Sequence, residues 1–72
     1  MAVLKVVELV GTSPNSWEEA TKNAVDKAAE TVRGIVGADV VGQNVVVKKG
    51  AITEYRVDVK LAFVVEGGVE DE

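Results

Sequence analysis

A chain of 72 residues and 7.6 kDa has room for one domain, and 47% hydrophobic with 28% charged residues makes it too apolar to be disordered and too evenly mixed for low complexity. It contains no cysteine and no histidine, which excludes a disulfide framework, thiol catalysis, the usual zinc sites and any mechanism that turns on an imidazole. A formal charge of −4 and a pI near 4.7 argue against nucleic acid or an anionic membrane as partner, because either needs clustered Lys and Arg.

Seventeen valines stand against three leucines and two isoleucines, so strands are expected to dominate: a β-branched side chain suits a pleated surface and loses rotamer freedom on a helix. The segment from Met1 to Val10 carries Lys5 and Glu8 and has no signal-peptide pattern. No apolar run approaches the roughly twenty residues needed to cross a bilayer. The expectation is a cytoplasmic protein.

Residues 3–10 form the first expected strand, ended by Gly11, with Lys5 and Glu8 on opposite faces. Residues 11–15 read as a turn. Ser16 then caps a helix by accepting from the backbone N–H of Glu19, whose carboxylate reaches back in a capping box. Ala20, Ala24, Val25, Ala28, Thr31, Val32 and Ile35 recur at helical spacing, giving a face of mostly small residues that suits close packing on a sheet; Gly34 or Gly37 is the expected stop. A second strand follows over 38–48, with Gly42 inviting a bulge. Lys49-Gly50 makes a hairpin turn into a third strand over 51–65, where Tyr55, Val57, Val59, Leu61, Phe63 and Val65 alternate with Arg56, Asp58, Lys60, Ala62 and Val64. The acidic tail 67–72 reads as a flexible end to a domain spanning 1–66.

The expected fold is therefore α+β in the order β-α-β-β, a three-stranded antiparallel sheet with one helix. One helix covers one face of such a sheet, and a cysteine-free chain of this size seldom stabilises itself from one core. The long strands overhang the helix, so self-association is expected.

In KVVELVGTS at 5–13, SWEEA at 16–20, AVDKA at 24–28, ADVV at 38–41 and YRVDVKLAF at 55–63, the chain resembles the dodecins. These are small bacterial and archaeal proteins that form hollow homododecameric shells and typically bind flavin. The resemblance runs over nearly the whole chain, in order and without large gaps. It implies a sheet wrapped around the helix, assembly into a homododecamer, and FMN or riboflavin as ligand. The ligand would be held without chemistry, so the protein is not expected to be an enzyme.

At the ligand site the sequence departs from the family. The flavin-stacking tryptophan before the second strand is replaced by Gly37, next to Val36, and the glutamine after the third-strand tyrosine is replaced by Arg56. Val36, Gly37 and Arg56 are thus the candidate cofactor-binding residues of a weakened site. Trp17 matches a core-like aromatic at the helix start and does not replace the lost ring. Gly37 either enlarges a cavity or lets the helix exit. Arg56 either holds a phosphate, a carboxylate or the flat of a ring, or pairs with Asp39, Asp58 or Glu54.

An alternative is a flavin-free shell that binds cations or is purely structural. With no His or Cys, only oxygen-seeking ions such as Ca2+ or Mg2+ suit the acids, and Asp39 and Asp58 are the candidate ligands. No EF-hand spacing is present, so copies would have to meet to complete such a site. Ser13 and Ser16 read as caps, with no base to activate them.

Overall fold

The computed structural model describes residues 3–65. Four elements follow in the expected order: β1 (Leu4–Ser13), α1 (Trp17–Ala29), β2 (Ile35–Lys48) and β3 (Ala51–Val64). Both pairings are antiparallel, and β3 lies between β1 and β2. The α+β reading with one helix on a three-stranded antiparallel sheet holds. The expected tail at 67–72 lies outside the described residues. No described helix is long and apolar enough to cross a membrane.

Strand alternation sorts β3 into two faces. Val57, Val59 and Leu61 point to the helix and are fully buried; with Ala20 and Ala24 they make up the core, and Val7, Leu9, Val25, Ala28 and Ile35 pack around it. The alanines matter because they let the helix approach. A Cβ on Gly11 would lie 2.1 Å from the Ala20 carbonyl oxygen and 2.8 Å from the Ala24 Cβ, so β1 and α1 touch where neither has a side chain to spare.

Three boundaries differ from expectation. First, β1 runs through Gly11 to Ser13, because Gly11 serves the helix contact and still pairs with Val57. Second, α1 ends at Ala29, well before Gly34 or Gly37, so Thr31, Val32 and Ile35 are not on the helix. The last turn tightens as the N–H groups of Thr31 and Val32 both donate to the Ala28 carbonyl. Gly34 then adopts a φ of 76° and its carbonyl accepts from Val64 at 3.1 Å. Third, β2 starts at Ile35. The β-branched run that follows α1 gains a full ladder on the central strand, which outweighs its partial helical periodicity.

Other signals held. The register shifts between Val40 and Gly42, as the glycine suggested. Lys49 and Gly50 have φ of 53° and 78°, the double left-handed geometry of a two-residue hairpin turn. Ser16 caps α1 by accepting from the Glu19 N–H at 3.0 Å. The Glu19 carboxylate does not return to Ser16. It accepts instead from the Ser13 hydroxyl and from Asn15 Nδ2, while Ser13 Oγ accepts from the N–H groups of Asn15 and Ser16.

A 13-residue helix is about 20 Å long, whereas 14-residue strands reach about 46 Å. The molecule is accordingly drawn out, with extents of 51 × 19 × 14 Å. The helix leaves the hairpin end and the whole outer face of the sheet bare. Val6, Val10, Val36, Val40, Val41, Val47 and Ile52 are all more than half exposed.

Candidate functional site

The outer sheet face carries every candidate site residue but Val36, and pairing register sets their places. Reading across β1, β3 and β2, one row is Val6, Ala62 and Gly37, and the next is Glu8, Lys60 and Asp39. Then come Val10, Asp58 and Gly42, and finally Thr12, Arg56 and Asn44. Val36 falls in a register shift between Ile35 and Gly37 and is 63% exposed.

Gly37 sits within β2, far beyond the end of the helix, so it does not serve a helix exit. Its φ is not positive, and a Cβ there would meet nothing within 4 Å. Neither backbone strain nor packing demands glycine. What the missing side chain leaves is a hollow of about 180 Å³, floored by Val6, Gly37, Ala38 and Ala62 with Asp39 and Lys60 at its rim.

Arg56 takes the structural pairing. Its Nε donates to Glu54 Oε2 at 2.8 Å, and among its three expected acids the contact is to Glu54 rather than Asp39 or Asp58. It stands three rows from Gly37, six residues along β3, which is about 20 Å. One ring ligand cannot touch both within a subunit. A site using both needs Gly37 from one copy and Arg56 from another.

Asp39 and Asp58 share the face one row apart, with Lys60 paired opposite Asp39. The closer acid pair is one that sequence reasoning missed, Glu8 with Asp58. Hydrogen bonding to Asp58 and the Asp58 charge, with some desolvation, hold the Glu8 carboxyl above its usual range, and Lys60 offsets this in part. One oxygen of Asp58, Oδ1, is buried without a hydrogen-bond partner among the described residues. The signal for Glu8 was present in its outward position on β1. Its diagonal neighbour across the ladder depends on register, which no single strand reveals.

The donors available are all oxygen, the right chemistry for Ca2+ or Mg2+. Yet among the described residues no three acids converge as a metal site, and Ca2+ takes six to eight oxygens. The residues of one subunit therefore do not fit a complete calcium shell. A flavin fits only in part, since the hollow at Gly37 is open and apolar but has no ring to stack on.

Trp17 lies at the rim of the core, 38% exposed, with its Nε1 donating to the Asn44 carbonyl at 3.1 Å and its ring edge-on to Tyr55 at 5.2 Å and 84°. It staples the hairpin to the start of α1. Its contacts are thus to Asn44 and Tyr55, in or beside the row of Arg56 rather than that of Gly37.

Comparison with known proteins agrees with this geometry. The family model described as Dodecin matches residues 3–66. The calcium dodecin of Mycobacterium tuberculosis is 38% identical over 63 residues, covering 88% of this chain and 89% of the relative. Among solved structures, dodecin from Streptomyces coelicolor superposes with a TM-score of 0.87 at 32% identity, over 90% of this chain and 93% of that one. The calcium dodecin structure from M. tuberculosis, described as having a novel calcium-binding site, gives a TM-score of 0.80 at 35% identity, over 97% of this chain and all of that one.

Proposed function

The chain belongs to the dodecin family, and from that premise we propose that it assembles into a hollow homododecamer that holds a small ring ligand of the flavin type without transforming it. The observation that carries the assembly is the uncovered sheet. A core of five fully or nearly buried residues is thin, and strands twice the length of the helix expose valines that association would bury. A groove of about 780 Å³ between α1 and the edge strand β1 offers a further surface for a neighbouring copy.

The ligand is held weakly in this reading. Gly37 supplies no ring, and the Nε of Arg56 is engaged by Glu54. Loss of one aromatic stack costs about 1–3 kcal/mol by analogy with base stacking, or one to two decades of affinity. The reading is non-catalytic: Ser13 is engaged with Glu19, Asn15 and Ser16, and Ser16 caps α1. A cytoplasmic location is part of this reading, and the net charge of −4 supports an assembly with neither nucleic acid nor an anionic membrane as partner.

A second reading, cation binding, is favoured by the Glu8–Asp58 pair with its unpartnered Oδ1, and by the name of the M. tuberculosis relative. Copies of the outer face would have to supply the remaining oxygens, with Asp39 and Asp58 the acids proposed to contribute.

Light scattering after size exclusion should report a mass about twelve times 7.6 kDa. A monodisperse monomer or dimer would refute the assembly. Titration with FMN and riboflavin should quench flavin fluorescence only at high protein concentration, and nanomolar quenching would refute the weakened site. If millimolar Ca2+ or Mg2+ raises Tm above an NaCl control of equal ionic strength, the second reading gains; identical curves leave only screening.

A further inference from the structure

The sheet has two free edges, and they are not alike. β1 pairs with β3 along its whole length without a register shift, whereas β2 shifts three times. In an antiparallel ladder, alternate residues turn both backbone groups toward the same neighbour. The Val3 carbonyl accepts from the Val65 N–H, so the odd positions of β1 bond β3 and the even positions face away. The free edge is thus made of the N–H and C=O groups of Leu4, Val6, Glu8, Val10 and Thr12. α1 closes one end of it, where Asn23 Nδ2 donates to the Thr12 carbonyl at 3.0 Å. Among the described residues, the edge groups of Val6, Glu8 and Val10 meet no partner.

Beside this edge runs the groove of about 780 Å³ between β1 and α1. Its strand wall is Leu9 and Val10, and its helix wall is low because Ala24, Ala28 and Thr31 are small. A bare edge strand with a groove between it and a helix is a geometry that accepts an extended segment as an added strand. The main chain of the segment bonds the edge, and alternate side chains enter the groove.

We propose that the β1 edge and this groove receive the end of the β2–β3 hairpin from a second copy. This rests on the assembly reading above and names the surfaces that meet. The hairpin end is already extended where it overhangs the helix, and its Val47 and Ile52 are more than half exposed. Lys48 and Lys49 are exposed and form no ion pair among the described residues, and neither does the exposed Glu8 on the receiving edge. The contact is also head to tail. Each copy offers one edge and one hairpin end, so the contact repeats until a ring closes, whereas β1 paired with β1 of a second copy stops at a dimer.

The alternation along β1 supplies the test. Proline at an even position deletes an N–H that bonds nothing within the subunit, which an edge strand tolerates. Val10→Pro should keep its circular dichroism spectrum and yet fall to smaller species, by light scattering at a concentration where the parent chain is assembled. Val10→Ala keeps the N–H and should assemble. Val47→Asp with Lys48→Glu alters only the incoming hairpin and should lower the mass as Val10→Pro does. A folded Val10→Pro chain that reaches the parent mass overturns the added strand, and so does a Val10→Ala chain that fails alike. Loss of assembly in Val10→Pro but not in Val47→Asp with Lys48→Glu overturns the hairpin as occupant and points to β1 of a second copy. Should Val10→Pro not fold, the hairpin variant decides: the parent mass overturns the contact and a lower mass supports it. A parent chain that is itself monomeric overturns the assembly reading, and this contact with it.

Discussion

On its inner face β3 presents Val57, Val59 and Leu61, which retain no exposed surface, whereas on its outer face the same strand carries the exposed Arg56 and Lys60 and the half-buried Glu54 and Asp58. A glycine belongs to each face. Gly11 is pressed against α1, where a Cβ would strike the Ala20 carbonyl, and Gly37 opens on a hollow where a Cβ would touch nothing. The first glycine is required by packing. The second is not, so its side chain is free to be set by what the outer face binds. The fold tolerates little on one side of the sheet and leaves the other side available for function.

The largest expected effect breaks the inner face. Leu61→Ala should cost about 2–5 kcal/mol through lost burial and the cavity left behind. Denaturant unfolding at fixed protein concentration, needed because assembly is linked to folding, checks it. Gly11→Ala should follow, at about 1–3 kcal/mol or more, since helix and strand must separate to admit a methyl group. A loss below half a kcal/mol would mean the helix is less closely seated than described.

Gly37→Trp sharpens the contrast from the other side. With open space around position 37, Tm should hardly change while flavin affinity rises about tenfold to a hundredfold. Isothermal titration beside a melting curve tests both halves. A Trp that destabilises as much as Gly11→Ala would erase the distinction between the two glycines.

Two acids give smaller, opposite responses to pH. Glu19 is held below its usual carboxylate range by hydrogen bonds from Ser13 and Asn15, so it contributes stability that is present above about pH 4.5 and lost as pH falls through its lowered folded value. The Tm deficit of Glu19→Gln should therefore be visible at pH 7 and fade in acid. Glu8 is held above that range, so the folded state takes up its proton more readily than the unfolded state does. Its repulsion with Asp58 is felt at pH 7 and relieved as pH falls through the raised value. Glu8→Gln should accordingly be slightly stabilising at pH 7 and neutral in acid. A stabilising effect that persists in acid would assign it to something other than the carboxyl pair.

Much was legible in the chain itself. Alternation from Tyr55 to Phe63 told which side chains are buried, Lys49-Gly50 marked the hairpin, Ser16 marked the helix start and the alanines announced a close helix. These are local signals, set by backbone preference and by the periods of strand and helix. Positions 37 and 56 stand out in the chain only against the pattern of the family it resembles, not from any local signal. The end of α1 was not, because residues 31–35 satisfy a helical period about as well as a strand, and the choice falls to β3, which offers them a ladder. Nor was the partner of Arg56, which had three acids within plausible reach and took the one two residues away on its own strand face.

What the sequence by itself determined is the set of elements and the inward or outward direction of each strand residue, since both follow from contacts a few residues apart. Only the tertiary structure decided that Glu8 stands diagonal to Asp58, that Lys60 lies between Glu8 and Asp39, and that Gly37 and Arg56 are about 20 Å apart. Those facts come from register, which the hairpin turn, three register shifts in β2 and the seat of the helix against Gly11 fix together. A slip of one residue would preserve every local preference within β1 and yet turn the outward Glu8 inward. The cost of that burial is spread over the whole sheet, which is why no single segment of the sequence discloses it.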